Sequence, residues 1–252
     1  MSALVIIAAA NALVGASIGI CGIAGFLLPI LYTEVLHYSV DQALAYSFLA
    51  FLVSGALGSL SYHKAGNLDL STSFKLGAGS LIGALGGVWL QALIAKSTAK
   101  EILYLVVLVS GASILLRMYT DSRKKAAQEN AQSGGLVQHT WFLLLLGVTT
   151  GAICSLSGAG GPVLVMPLLV TFGVPARLAV GIALFDSVFI AIPACIGYLA
   201  RVELALPLLA LIAASHGIGV LLGSSIADKV PVQALKLFVA IFSVCIAIYM
   251  LF

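Results

Sequence analysis

The chain has 252 residues, of which 62% are hydrophobic and only 8% charged, with a net charge of +3. A soluble domain carries about 25% charge, so a water-soluble enzyme and a disordered chain are both excluded. The few scattered cations exclude a nucleic-acid surface, which clusters them against phosphates. Long uncharged runs without the alternation of ~10-residue barrel strands leave an all-α polytopic membrane protein.

A bilayer core ~30 Å thick needs about 20 apolar helical residues. In chain order, the first half (1–119) offers a long segment over 2–34 interrupted by Gly22 and Gly25, then segments over 40–63, 73–95 and 100–119. No basic stretch precedes the first apolar run, so it reads as a membrane segment and not as a cleaved leader. Residues 120–139 form a polar linker with Arg123, Lys124 and Lys125. The second half (140–252) repeats the order: a segment over 141–172 broken by Gly158, Gly160 and Gly161, then 174–199, 204–227 and 232–251.

The halves align at a shift of 136. Gly15–Ala16 falls on Gly151–Ala152, Gly22 and Gly25 on Gly158 and Gly161, Tyr62 on Tyr198, and Gly83 and Gly87 on Gly219 and Gly223. An ordered series of this kind is the mark of a duplication. Small residues at helical spacing in the third segments, Gly79, Gly83, Gly87 and Ser215, Gly219, Gly223, predict close helix contacts in lipid.

The basic residues test the topology. With the linker placed in the cytoplasm and each broken segment crossing once, the inside holds Lys64, Lys75, Arg117, Arg123, Lys124, Lys125 and Arg201, seven of 12. If each broken segment returns as a hairpin, the halves are inverted. The inside then holds Lys64, Lys75, Arg117, Arg123, Lys124, Lys125, Arg177, Lys229 and Lys236, nine of 12. The hairpin arrangement is preferred, and inverted repeats are a transporter architecture.

The stretch from Ser155 to Pro167 carries the chemistry. Gly158, Gly160, Gly161 and Pro162 lie within five positions; glycine costs ~1 and proline ~3 kcal/mol inside a helix. Broken backbone at membrane depth is tolerated only where protein or water surrounds it. Pro162 suits the first turn of a new half-helix, whose amides near Gly160 and Gly161 would face an anion with the positive dipole end. Ser155 and Ser157 add hydroxyls. Gly22, Ala24 and Gly25 form the matching break, and the two breaks are expected to meet. Glycines serving only close helix packing are the plainer alternative.

The GxGG-P-x(4)-P pattern, its degenerate first copy, the basic middle linker and the length together resemble the sulfite exporter TauE/SafE family (the TSUP group of membrane transporters) over nearly the whole chain. The resemblance implies transport of small sulfur-containing or organic anions such as sulfite or sulfonates, with proton coupling. The first copy departs from the pattern: Ala24 stands where a glycine is usual, and Pro29 comes two residues early.

Asp186 is the acid well inside an apolar run, and an ionisable group at bilayer depth is a functional candidate; it is assigned the coupling proton, with a neutral structural hydrogen bond as the alternative. His216 is a second relay candidate, although a packed imidazole is the simpler reading. Tyr32, Tyr62, Tyr119, Trp141 and Tyr198 suit an interfacial aromatic belt. Cys21, Cys154, Cys195 and Cys245 lie in apolar runs without ligand spacing and read as small buried hydrophobes, so no metal or cofactor is expected. The expected partners are a small anion and the lipid bilayer, with no nucleic acid and with a homodimer as an option. An anion channel is the near alternative. An intramembrane serine hydrolase using Ser157 and His216 is a remoter one. The expected location is the cell membrane.

Overall fold

The computed structural model describes residues 3–22, 24–94, 135–203, 205–227 and Lys229, with scattered helical positions in 98–116 and 237–245. Most of the expected segments over 100–119 (Tyr119 included) and 232–251, and most of the 120–139 linker, lie outside the described residues. Among the described residues all regular structure is helical: α1 (Ala3–Cys21), α2 (Leu27–Ile30), α3 (Val40–Lys64), α4 (Leu70–Leu93), α5 (Thr140–Ser157), α6 (Gly161–Thr171), α7 (Ala176–Leu199) and α8 (Leu206–Ile226). A π-helical turn, Leu31–Val35, continues α2, and a short 3₁₀ turn, Gly135–Gln138, precedes α5. Six of these helices, α1, α3, α4, α5, α7 and α8, are long and apolar enough to cross a membrane.

Local chemistry sets several of the ends. Ser39 begins α3 with a capping box: its hydroxyl accepts from the Gln42 amide, and the Gln42 side chain accepts from the Ser39 amide. Asp69 accepts from the Ser71 amide at the start of α4. Such caps contribute ~1 kcal/mol each by satisfying amides that have no partner in the first turn. Outward faces are apolar: Leu13, Trp89, Ile196 and Leu206 are each about two-thirds exposed. That surface suits lipid and would be a liability in water.

The long helices pair where side chains are smallest. A Cβ on Gly15 would meet the His216 carbonyl oxygen, and one on Gly19 the Val220 carbonyl oxygen. Conversely, Gly219 and Gly223 face the backbone of Ala12 and Ala16, so α1 lies directly against α8. In the same way Gly79, Gly83 and Gly87 of α4 face Leu144, Val148 and Ala152 of α5. Residue numbers rise together in both pairs, so each pair is parallel. By the same criterion α3 is parallel to α8 and α4 parallel to α7. Across α3 and α7 the order reverses, with Gly58 on Leu184 and Gly55 on Val188. Thus α1, α3 and α8 run one way and α4, α5 and α7 the other. Because α1 and α3 share a direction, residues 22–39 bring the chain back to the side where α1 began. Residues 158–175 do the same between α5 and α7.

Three aromatic expectations are corrected. Tyr32, Tyr62 and Tyr198 are buried, at 0, 8 and 0% exposure, and do not form an interfacial belt. For Tyr62 and Tyr198 the reason is unsatisfied backbone. The carbonyls ending a helix have no partner within it; the Tyr62 hydroxyl donates to Gly19 O and Ile20 O near the end of α1, and the Tyr198 hydroxyl donates to Ser155 O near the end of α5, at 2.7 Å. Tyr32 accepts from Asn11 Nδ2 at 2.8 Å. Trp141, by contrast, is 62% exposed. Of the cysteines, Cys21, Cys154 and Cys195 are buried as expected, whereas Cys245 is exposed.

Candidate functional site

The second break is built as the glycine spacing requires. Helix α5 ends at Gly158 in the left-handed region (φ 76°), with the Gly158 amide donating back to Cys154 O at 2.8 Å. Gly160 comes next but one, at φ 77°, ψ 143°, as the N-cap of α6, and Pro162 sits in the first turn. Both φ values are costly for a residue with a Cβ. Proline fits there because its position needs no amide donor. The Ser157 hydroxyl donates to Ile153 O at 2.7 Å and accepts from the Ala159 amide at 3.3 Å. It therefore stabilises the turn itself. The Ser155 hydroxyl donates to Ala152 O and lies against Gly87 of α4, facing away from the turn.

The first break uses poorer materials. Gly22 takes φ 73° and closes α1 by donating to Ile18 O at 2.7 Å. Ala24 takes φ 110°, a conformation disfavoured for any residue with a Cβ. The Leu27 and Leu28 amides donate to Ala24 O and Gly25 O as the short α2 begins.

The two breaks touch. A Cβ on Gly22 would meet Pro162, one on Gly158 would meet Leu44 and Pro29, and one on Gly25 lies 3.7 Å from Ala159 O. The Phe51 ring of α3 stands between them, against both Gly25 and Gly160. Gly22, Ala24, Gly25, Ser155, Ser157, Gly158, Gly160, Gly161 and Pro162 are all buried. The breaks are therefore closed off from solvent in this conformation. A cavity of about 70 Å³, lined by Ile20, Cys21 and Val180 among others, comes close: Val180 also contacts Gly22.

Asp186 lies one residue before Ser187, whose Cα abuts Gly161. It is 0% exposed, the only acid among the described residues wholly removed from water. It faces Ser80 of α4 and Cys154 of α5, yet neither carboxyl oxygen nor the Ser80 hydroxyl completes a hydrogen bond. A buried polar group without a partner calls for an explanation in function or in an unseen ligand.

His216 is elsewhere. Its Nδ1 pairs with Asn11 O at 3.1 Å in the α1–α8 interface, and Nε2 has no partner. Asn11 in turn reaches Tyr32. Asp186 and His216 thus occupy separate interfaces, and Ser157 and His216 form no nucleophile–base hydrogen bond. Sequence reasoning missed Phe51, Ser80 and Asn11. Only Asn11 left a signal, as a lone amide inside an uncharged run.

The match to known proteins agrees with these features. The family model described as sulfite exporter TauE/SafE matches residues 3–250. The chain belongs to the sulfite exporter TauE/SafE family. It is also 23% identical over 227 residues, 89% of its own length and 90% of the relative's, to a protein of Bacillus subtilis (strain 168) described as probable membrane transporter protein YdhB. No solved structure matches it. The family and the six apolar helices make this TauE/SafE chain a multi-pass membrane transporter.

Proposed function

We propose that the protein is a secondary transporter of a small sulfur-containing or organic anion, of the sulfite or sulfonate type, driven by protons across the cell membrane, with the 120–139 linker in the cytoplasm. The observation that carries this reading is the contact between two buried helix breaks with an unpartnered Asp186 beside one of them. The 11-residue helix α6 directs the positive end of its dipole at the turn, where an oxyanion is favoured without a fixed charge that would trap it. Asp186 is the group that takes up and releases the coupling proton when water reaches it.

The architecture is two inverted repeats. Contacts support the duplication at the same shift of 136 that aligns the sequence. Gly83 faces Val148 and Gly219 faces Ala12; Gly87 faces Ala152 and Gly223 faces Ala16; Tyr198 bonds Ser155 and Tyr62 bonds Gly19. The opposed sense of α3 and α7 supports the inversion. Alternating access is then a rocking of one repeat against the other around a fixed site.

The test is flux of radiolabelled sulfite into proteoliposomes with and without a pH gradient. The gradient accelerates flux in the native protein and has no effect in Asp186→Asn. An Asp186→Asn protein whose flux still responds to the gradient removes Asp186 from coupling, and a native protein that moves none of a panel of sulfite, sulfonates and carboxylates removes the substrate reading.

A further inference from the structure

Two equivalent places beside the breaks are treated oppositely. Next to the first break, the 70 Å³ cavity is lined by Cys21, Tyr62, Ala65, Arg177, Ser224 and Ala227, among others. Ala65 and Arg177 at its mouth are exposed. At the shift of 136, Tyr62 becomes Tyr198, Ala65 becomes Arg201, Ser224 corresponds to Val88, and Ala227 to Gln91. On that side Arg201, itself exposed, bridges the equivalent positions. Its Nη1 donates to Gln91 Oε1 at 2.6 Å and its Nη2 to Val88 O at 2.9 Å. The guanidinium also stands 5.2 Å from the Tyr198 ring centroid, and Nη1 is 3.9 Å from Asp41 Oδ1. Gln91 is only 4% exposed. Both members of the short bond, Arg201 and Gln91, have alanine as their equivalents, Ala65 and Ala227, and both alanines line the open cavity.

We propose that Arg201 and Gln91 are the gate of the second vestibule. With the bond made, that vestibule is shut and the first is open; transport requires Arg201 to leave Gln91 and Val88 O. The proposal rests on reading the chain as a transporter of two opposed repeats. Its physical basis is that the two vestibules exchange openness, so a contact made in only one state sets the balance between them. Arginine suits this closing contact because its planar fork bonds Gln91 and the Val88 carbonyl at once while stacking on Tyr198, and a lysine offers no such fork.

The experiment uses the full chain in detergent, with its four native cysteines replaced by alanine and a single reporter cysteine at Val88→Cys or Ser224→Cys, reacted with a hydrophilic maleimide. With Arg201 present, Ser224→Cys reacts and Val88→Cys is protected. Arg201→Ala raises the Val88→Cys rate about tenfold and lowers the Ser224→Cys rate, as expected for a population shift between two states. Gln91→Ala acts in the same direction, and Arg201→Lys falls between. Equal Val88→Cys reactivity with and without Arg201 overturns the gate, and so does a rise at both reporters together in Arg201→Ala and Gln91→Ala, which signals loosening. Sulfite flux measured in parallel separates the two readings. Flux without reciprocal labelling refutes the gate and leaves the transporter reading standing. Reciprocal labelling without flux of any anion upholds the gate and removes the substrate assignment.

Discussion

Between Ser157 and Gly161 the chain turns through two glycines, Gly158 at φ 76° and Gly160 at φ 77°, and then starts an 11-residue helix at a proline-bearing first turn. Between Cys21 and Leu27 it turns through Gly22 at φ 73° and Ala24 at φ 110°, and then forms only four α-helical residues that widen into a π-turn. The difference teaches that the shape of the break belongs to the packing around it. Ala24 is 1% exposed, and its neighbours hold it in a conformation that costs ~1–3 kcal/mol. Glycine lowers the cost of a break but is not what imposes it.

Substitutions can pull the two breaks apart. The largest effect is expected for Gly158→Ala. It combines positive φ with a methyl driven into Leu44 and Pro29, for a loss of about 3 kcal/mol. Its partner Gly22→Ala meets mainly the Val180 methyl, at 3.1 Å, and loses about 1 kcal/mol. Thermal unfolding in detergent should rank them in that order, and equal shifts would mean that the breaks are packed alike. Between these two comes Gly160→Ala, expected to cost about 2 kcal/mol from backbone conformation, since its Cβ would meet the Phe51 ring only at 3.4 Å. Tyr198→Phe removes a 2.7 Å bond and should lose ~1 kcal/mol. Tyr62→Phe removes longer bonds of 3.2 and 3.4 Å and should lose less. The smallest change is a gain: Ala24→Gly should raise stability by up to ~1 kcal/mol by releasing the positive-φ strain. A loss there would show that the alanine methyl contributes more through packing than its backbone costs.

Much of this was legible beforehand because hydrophobic length and glycine spacing are local properties. The α3, α7 and α8 boundaries fall within three residues of the expected segments, and α6 begins where Pro162 implied. Asp186 was visible as a carboxyl group inside an apolar run. Its companion Ser80 was not, because a serine among small residues on a helix is ordinary until another helix brings an acid to it. Tyr62 and Tyr198 misled for a related reason. Position near a segment end favours the interface, but carbonyls released by a break inside the bundle draw hydroxyls inward. The match between Arg201 and Ala65 was present in the alignment of the halves, but the bond from Arg201 to Gln91 appears only when α4 and α7 are packed together.

By itself the sequence determined that this chain lives in lipid, that its helices break at two related places, and that its halves share a pattern. Those properties arise from how apolar length, glycine and proline act on a few neighbouring residues. Tertiary structure alone decided that the breaks abut across Phe51, that Asp186 and His216 sit in different interfaces, and that Arg201 bonds Gln91 and the Val88 carbonyl while Ala65 and Ala227 line a cavity. Each depends on which faces of distant helices meet, and residues far apart in the chain acquire partners only when backbones as close as Gly83 and Val148 come into contact.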